Sequence, residues 1–261
     1  MSGKGAADIH DAAARGFQSA ARTYVAGRPD YPAAIVGWLI NMLGIGPDSR
    51  VLDLGAGTGK FLASLKATGA TLVAVEPVEA MRAQLAAANP DVDVRAGTAE
   101  AIPLPDASID GVICAQAFHW FANERALAEI HRVLKPGGVL GLVWNVRDES
   151  APWVAALTGI YSPYEGDAPR YHRGEWRALF PARGFGPLRE SRFPHSHVGS
   201  PGQVILDRTM SISFIAALPD EERAMVADQV RQLIDGTPGI AGRASIAFPY
   251  ETMAFDCRRI D

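Results

Sequence analysis

Residues 53–59 read Asp53-Leu54-Gly55-Ala56-Gly57-Thr58-Gly59, directly behind the apolar pair Val51-Leu52 and ahead of a helical pattern. Glycines at alternate positions let the chain turn sharply and let a ligand approach the backbone, while the start of the next helix offers unpaired amide donors. A phosphate-cradling loop needs Gly-x-x-x-x-Gly-Lys-Ser/Thr, but Leu54 occupies its first glycine and Phe61 follows Lys60. The dinucleotide fingerprint Gly-x-Gly-x-x-Gly fails at its last position, where Lys60 stands. The pattern acid-x-Gly-x-Gly-x-Gly behind a strand fits at every position.

Outward from this loop, short apolar runs alternate with helical patterns between about residues 48 and 146, the signature of parallel βαβ units. Strands are expected at 51–54, 71–75, 92–95, 109–115 and 139–144, with a composition suited to burial on both faces. Helices are expected at about 59–68, 78–89 and 123–134, the last capped by Asn123 and stopped by Lys135-Pro136-Gly137-Gly138. An amphipathic helix is expected at 8–24, ahead of Gly27-Arg28-Pro29-Asp30-Tyr31-Pro32. After residue 147 the pattern loosens. A strand is expected from Leu188 to His195, two helices at about 201–217 and 219–235 parted by Pro219, and a closing strand around Tyr250 to Cys257 with one buried face.

Composition sets the class. The 261 residues carry 25 Lys+Arg against 29 Asp+Glu, a net charge of −4, with 48% hydrophobic residues. That is an ordinary globular balance. No Lys/Arg block marks a nucleic-acid or membrane surface, and no run of 18 apolar residues marks a membrane span. The two cysteines, Cys114 and Cys257, make neither a disulfide framework nor a metal site, so a reducing cytoplasmic location is expected and no metal.

The glycine loop, Glu76 at the end of the second strand, Gly97-Thr98-Ala99-Glu100 with Ile102-Pro103-Leu104-Pro105, and Leu134-Lys135-Pro136-Gly137-Gly138 stand in an order that resembles class I S-adenosylmethionine-dependent methyltransferases. The likeness spans residues 48–146. It implies a Rossmann-like, doubly wound α/β fold of seven strands with the last antiparallel, S-adenosylmethionine as cofactor and S-adenosylhomocysteine as product. It also implies that Glu76 accepts from both ribose hydroxyls, that Pro77 and Met81 border the adenine together with Thr98, Ala99 and Glu100, and that Gln116 closes the cofactor site. Thr98 stands where many relatives carry an aspartate, so its hydroxyl would take over that contact. The stretch after the fourth strand, Ala115-Gln116-Ala117-Phe118, lacks the Asn/Asp-Pro-Pro-Tyr of nucleic-acid amino methyltransferases, which argues against a nucleic-acid substrate.

As a whole the layout is similar to methyltransferases of the trans-aconitate type, which implies a small organic acid; the expected reaction is O-methylation of a small molecule at a carboxylic acid or a hydroxyl. The expected division is one methyltransferase domain: an N-terminal helical lid at 1–47, a cofactor core at 48–146, acceptor-side insertions and cap at 147–244, and a closing strand at 245–261. By the same resemblance Tyr24 and Arg28 would fold over the cofactor, Tyr24 shielding the sulfonium and Arg28 holding the methionine carboxylate; Arg28 reads equally as a solvated residue in a proline turn.

Candidate acceptor residues cluster in two places. Phe118-His119-Trp120-Phe121 ends the fourth strand, where open parallel sheets place their ligands. His119 reads either as a general base or as a structural imidazole, and the aromatics either as pocket or as core. Trp144, Arg147, Tyr164, Arg170 and His172, with Tyr31 upstream, read as an anion-recognising pocket or as a charged surface. Two other functions stay open at this point, a non-catalytic module that binds the cofactor and a nicotinamide-dependent oxidoreductase. Composition and motifs leave the oligomeric state open.

Overall fold

The computed structural model describes residues 28–167 and 169–260. The expected helix at 8–24, and Tyr24 with it, lie outside them. One seven-stranded sheet runs in the order β3-β2-β1-β4-β5-β7-β6. Its strands are β1 (Arg50–Leu54), β2 (Thr71–Val75), β3 (Asp93–Arg95), β4 (Ile109–Ala115), β5 (Leu134–Arg147), β6 (Arg189–Gly199) and β7 (Ile246–Arg258). The first five are parallel, and β7 pairs antiparallel with both β5 and β6. This is the doubly wound arrangement with an antiparallel last strand.

Helices cover both faces. On one, α1 (Ala34–Asn41), α2 (Leu62–Lys66) and α3 (Glu79–Ala88) bury Trp38, Leu39, Leu62, Leu65 and Leu85 against Val51, Ala74 and Ile113. On the other, α4 (Glu124–Val133) buries Ala126, Leu127, Ile130 and Val133 at helical spacing. Asn123 caps α4 by accepting from the Ala126 amide at 2.9 Å. A third core lies under the C-terminal half, where α5 (Pro152–Tyr161), the segment 202–216 and α6 (Asp220–Gly236) meet the start of β7 through Leu157, Val204, Ile205, Val226 and Phe248.

Three local expectations change. First, α4 ends at Val133 and the strand begins at once with Leu134, because Leu134 already pairs with Ile109 across a register shift before Gly111. The Lys-Pro-Gly-Gly segment is thus irregular strand rather than a separate turn. Second, β7 is buried on both faces from Thr252 to Cys257, since it lies inside the sheet. The edge strand is β6, and its residues alternate between half-buried and exposed. Third, the helix expected at 201–217 is a π-helical turn at Gly202–Asp207, one helical turn at Arg208–Met210 and another at Ser213–Ala216.

Candidate active site

Parallel strands β1, β2, β4 and β5 all end at one edge of the sheet, and the chain reverses there between β1 and β4. A crevice must open at such a point because neighbouring connections leave to opposite faces. A cavity of about 170 Å³ lies there, more than ten times the roughly 10–15 Å³ that one water needs.

The glycine loop forms its floor. Gly55 and Gly57 have φ of 72° and 57°, conformations that side-chain-bearing residues rarely adopt. They serve different ends. A Cβ on Gly55 would stand 2.9 Å from the Ala117 methyl, so that glycine lets the loop pack on the segment after β4. A Cβ on Gly57 would meet only the Met81 sulfur, at 3.9 Å, so that glycine leaves the cavity open. Ala56 also lines the space, whereas Gly59 packs outside it on Leu62 and Leu85.

Two acids stand beside the loop. Glu76 is 4% exposed, and its oxygens accept from the Gly57 and Val78 amides, both at 2.8 Å. Each oxygen keeps a further lone pair for a ligand hydroxyl. Burial raises its pKa, opposed by those amides and by Arg82. Asp53 is 1% exposed, and among the described residues neither of its oxygens has a hydrogen-bond partner. Burial, then the neighbouring Glu76, push its pKa up to about 7. A buried carboxylate without donors is costly unless a ligand satisfies it.

Pro77, Met81, Thr98, Ala99 and Glu100 line the wall on the β2–β3 side. Glu100 is also tied to the helix cap, accepting from Asn123 Nδ2 at 2.8 Å. Gln116, with φ of 55°, lines the opposite side, and its amide nitrogen donates to the Asn145 carbonyl at 3.3 Å. Arg28, Tyr31 and Trp120 reach the cavity as well. Arg28 also donates to the Ser211 carbonyl at 3.2 Å, and Tyr31 meets Phe61 edge-on, centroids 4.7 Å apart.

Several candidates from the sequence are placed elsewhere. Trp144 is core: it is 1% exposed, packed on Trp176 and Phe255, and donates from Nε1 to Nδ1 of His119 at 3.0 Å. A strand residue of that parity points into the face covered by α4 and Trp176, which sequence proximity to Arg147 does not reveal. His119 lies behind Trp120 rather than on the cavity wall. Burial, then Arg170, Arg28 and His172, lower its pKa to about 3. Nδ1 is engaged as the acceptor of the Trp144 indole and burial disfavours the charged form, which leaves the ring proton on Nε2. His172 is largely exposed, 3.3 Å from Glu165, and Tyr164 packs on the third core. Arg147 lies over the Tyr161 ring at 4.6 Å, and Arg170 over Phe214 at 4.4 Å and Trp120 at 5.7 Å. These two arginines stand behind the first layer of the wall.

Two wall residues carry signals that the sequence reading passed over. Tyr250 faces Arg147 across the β5–β7 ladder and lines the cavity. Arg208 lies in Val204-Ile205-Leu206-Asp207-Arg208-Thr209-Met210, where a cation beside Asp207 and behind three apolar residues is the available sign. Asn145 is positioned by Thr252, whose hydroxyl donates to it at 2.6 Å, and itself donates to the Asp30 carbonyl at 2.9 Å. Among the described residues no group of three His, Cys, Asp or Glu side chains could hold a metal ion, and no helix is long and apolar enough to cross a membrane.

Comparison with known proteins agrees with this geometry. A methyltransferase domain model matches residues 52–142, from β1 into β5. An uncharacterised methyltransferase-like protein of Schizosaccharomyces pombe is 42% identical over 93% of this chain and 95% of its own length. An uncharacterised methyltransferase of Mycobacterium tuberculosis is 40% identical over 91% and 93%. A solved structure from Anaeromyxobacter dehalogenans, assigned provisionally as a type II methyltransferase, superposes with a TM-score of 0.62 at 26% identity, covering 89% of this chain and 97% of that one. The chain therefore belongs to the class I S-adenosylmethionine-dependent methyltransferase family.

Proposed function

We propose that this protein transfers the methyl group of S-adenosylmethionine to an oxygen of a small organic acid, releasing S-adenosylhomocysteine. The observation that carries the reading is one cavity lined by chemically opposite groups: the acids Asp53 and Glu76 beside the glycine loop, and the cations Arg28 and Arg208 with the phenol of Tyr250. The acids fit a donor that bears ribose hydroxyls and positive charge. Glu76 has lone pairs to spare, Asp53 lacks a hydrogen-bond partner among the described residues, and Gly57 leaves room for the ligand against Met81. On this reading Pro77, Thr98, Ala99 and Glu100 border the adenine and Gln116 closes the site.

The bound donor supplies an electrophilic methyl: an acceptor lone pair forms the new O–C bond, and the sulfur keeps the pair of the broken S–C bond. A carboxylic acid is already ionised near neutral pH, so the chain need not remove a proton. Its task is to align the acceptor and exclude water. Trp120, Tyr31 and Phe121 supply the apolar walls, and the reading of residues 147–244 as an acceptor-side cap is supported by Arg208, which lines the cavity. A neutral, engaged His119 is consistent with chemistry that needs no base.

Calorimetric titration with S-adenosylmethionine, S-adenosylhomocysteine and NAD tests the donor assignment, with Glu76→Gln as control. Binding of the first two, weakened about tenfold or more in the variant, is expected for loss of a charged hydrogen-bond acceptor. Mass-spectrometric screening of small acids, phenols and amines then tests the acceptor. Methylation confined to phenols or amines would overturn the acid reading.

A further inference from the structure

Asn145 lines the cavity near the end of β5 and joins three distant parts of the chain. Its side-chain nitrogen donates to the Asp30 carbonyl at 2.9 Å, its side-chain oxygen accepts from the Thr252 hydroxyl at 2.6 Å, and its own carbonyl accepts from Gln116 Nε2 at 3.3 Å. The orientation of the amide is forced. A backbone carbonyl only accepts, so the nitrogen must face Asp30, and the oxygen is left to Thr252, which stands directly opposite on β7 and is fully buried. Turning the amide over would set two acceptors against each other. A buried hydroxyl destabilises unless it is bonded, and Thr252 meets that need by orienting Asn145.

The segment held by Asn145 carries cavity wall. Arg28, Pro29 and Tyr31 all line the space. On the glycine-loop side, Lys60 donates to the Arg28 carbonyl and lies 3.2 Å from the Asp30 carboxylate, and the Tyr31 ring meets Phe61 edge-on. On the other side the tie is Asn145. In the sheet β4 lies between β1 and β5, so residues 28–31, tied at the loop after β1 and at the end of β5, bridge the end of β4, where Gln116 stands. Asn145 thus holds the bridging segment with its side chain and Gln116 with its backbone. Neither tie is strong by itself. The Asp30 side chain is 88% exposed, where an ion pair contributes little, and one neutral hydrogen bond near solvent contributes modestly. Burial lowers the pKa of His195 on β6, with Asp30 opposing it through its backbone and its charge, so this imidazole stands beside the segment too. Ties of this strength keep a segment closed while letting it open locally, which ligand exchange at a covered site requires.

We infer that Asn145, oriented by Thr252, is a positioning residue that pins residues 28–31 across the cofactor cavity, so that Arg28 and Tyr31 keep their places on its wall and S-adenosylhomocysteine leaves only when the pin breaks. This rests on the donor assignment above and goes beyond it. The Asn145 side chain is committed to Asp30 and Thr252, so its loss acts on how long a ligand stays more than on the chemical step.

The test uses the full chain and two near-isosteric substitutions that break the pin at different bonds. Asn145→Asp keeps an acceptor toward Thr252 and replaces the donor toward Asp30 with a second acceptor. Thr252→Val keeps the shape and removes the hydroxyl that orients the amide, whereas Thr252→Ser keeps that hydroxyl and is expected to match wild type. The first readout needs no ligand: cleavage of the Pro29–Asp30 bond by an endoproteinase specific for the amino side of aspartate, followed by mass spectrometry. It should run about tenfold faster in Asn145→Asp and in Thr252→Val, with Tm lowered by less than about 3 °C. The second is stopped-flow dissociation of S-adenosylhomocysteine, expected to be about tenfold faster in both variants, with association changed less. Wild-type rates of cleavage and dissociation in both variants overturn the inference. Cleavage that speeds equally at the other aspartates marks general loosening and also overturns it. Faster dissociation with unchanged cleavage would put the Asn145 amide on the ligand itself and overturn the pin. Faster cleavage in the variants of a protein that binds no S-adenosylhomocysteine upholds the pin and overturns the donor assignment. Should Asn145→Asp fail to fold, Asn145→Leu and Thr252→Val carry the same comparison.

Discussion

The Trp144 indole donates from Nε1 to Nδ1 of His119 at 3.0 Å, tying a core side chain to an imidazole that stands directly behind the cavity wall. That bond fixes the tautomer with its proton on Nε2, and burial, then Arg170, Arg28 and His172, lower the pKa to about 3. A folded-state pKa below the ordinary 6.5 means that the neutral form contributes stability above pH 6.5, lost as the pH falls through that value toward about 3. His119→Gln should therefore flatten the acid limb of a denaturation-against-pH curve. Turnover of a carboxylic acid should stay within about tenfold of wild type, with no titration near pH 6.5 in either protein. A loss of about 100-fold or more, the range typical of general acid–base catalysis, would restore His119 as a catalytic base.

Trp144 itself is expected to act on stability alone. Trp144→Phe leaves the His119 acceptor unsatisfied and opens space beside Trp176 and Phe255. The expected loss is about 1–3 kcal/mol in denaturant unfolding, with acceptor KM changed less than about twofold. A large KM effect with unchanged stability would place the indole on the acceptor wall.

Gly55 and Gly57 should separate folding from binding. Gly57→Val sets a β-branched side chain at a φ of 57° beside Met81, in the cavity. Affinity for S-adenosylhomocysteine should fall at least about 100-fold in calorimetry, with a smaller drop in Tm from backbone strain. Gly55→Val drives into the Ala117 methyl and the Phe121 ring and should lower Tm strongly. Retained cofactor binding in Gly57→Val would sink the assignment of the loop.

Asp53 makes stability depend on pH in the opposite sense to a salt-bridged acid. Its pKa rises from 3.8 to about 7 on folding. Its contribution is fully present below pH 3.8 and is lost as the pH rises through about 7. Asp53→Asn should be more stable than wild type at about pH 8 and similar to it at about pH 4, measured by urea unfolding of the ligand-free protein. A wild type whose stability does not respond between those values would remove the case for a buried, unpartnered carboxylate.

The residues around the glycine loop were largely legible because they are local. Asp53 to Gly59 is contiguous, and the strand ends that carry Glu76, Thr98 and Gln116 follow from apolar runs whose bounds depend on neighbours in sequence. Binary pattern and glycine spacing act over a few residues, so a linear reading finds them. The number of strands and the antiparallel last one came through resemblance rather than periodicity, whereas the strand order, and with it the burial of β7 on both faces, became visible only with β6 outside it. The rest of the cavity wall is a different case. Arg28, Trp120, Arg208 and Tyr250 are brought together from four distant parts of the chain. No spacing rule links them, and which arginine faces a cavity depends on helix rotation and strand parity after packing. The sequence by itself determined the nucleotide-type loop, its acids and the alternating core. Only the tertiary structure decided that Trp144 is core, that His119 is engaged as a neutral acceptor, and that Arg208 brings its guanidinium to the cavity wall, because these follow from long-range packing and not from local propensity.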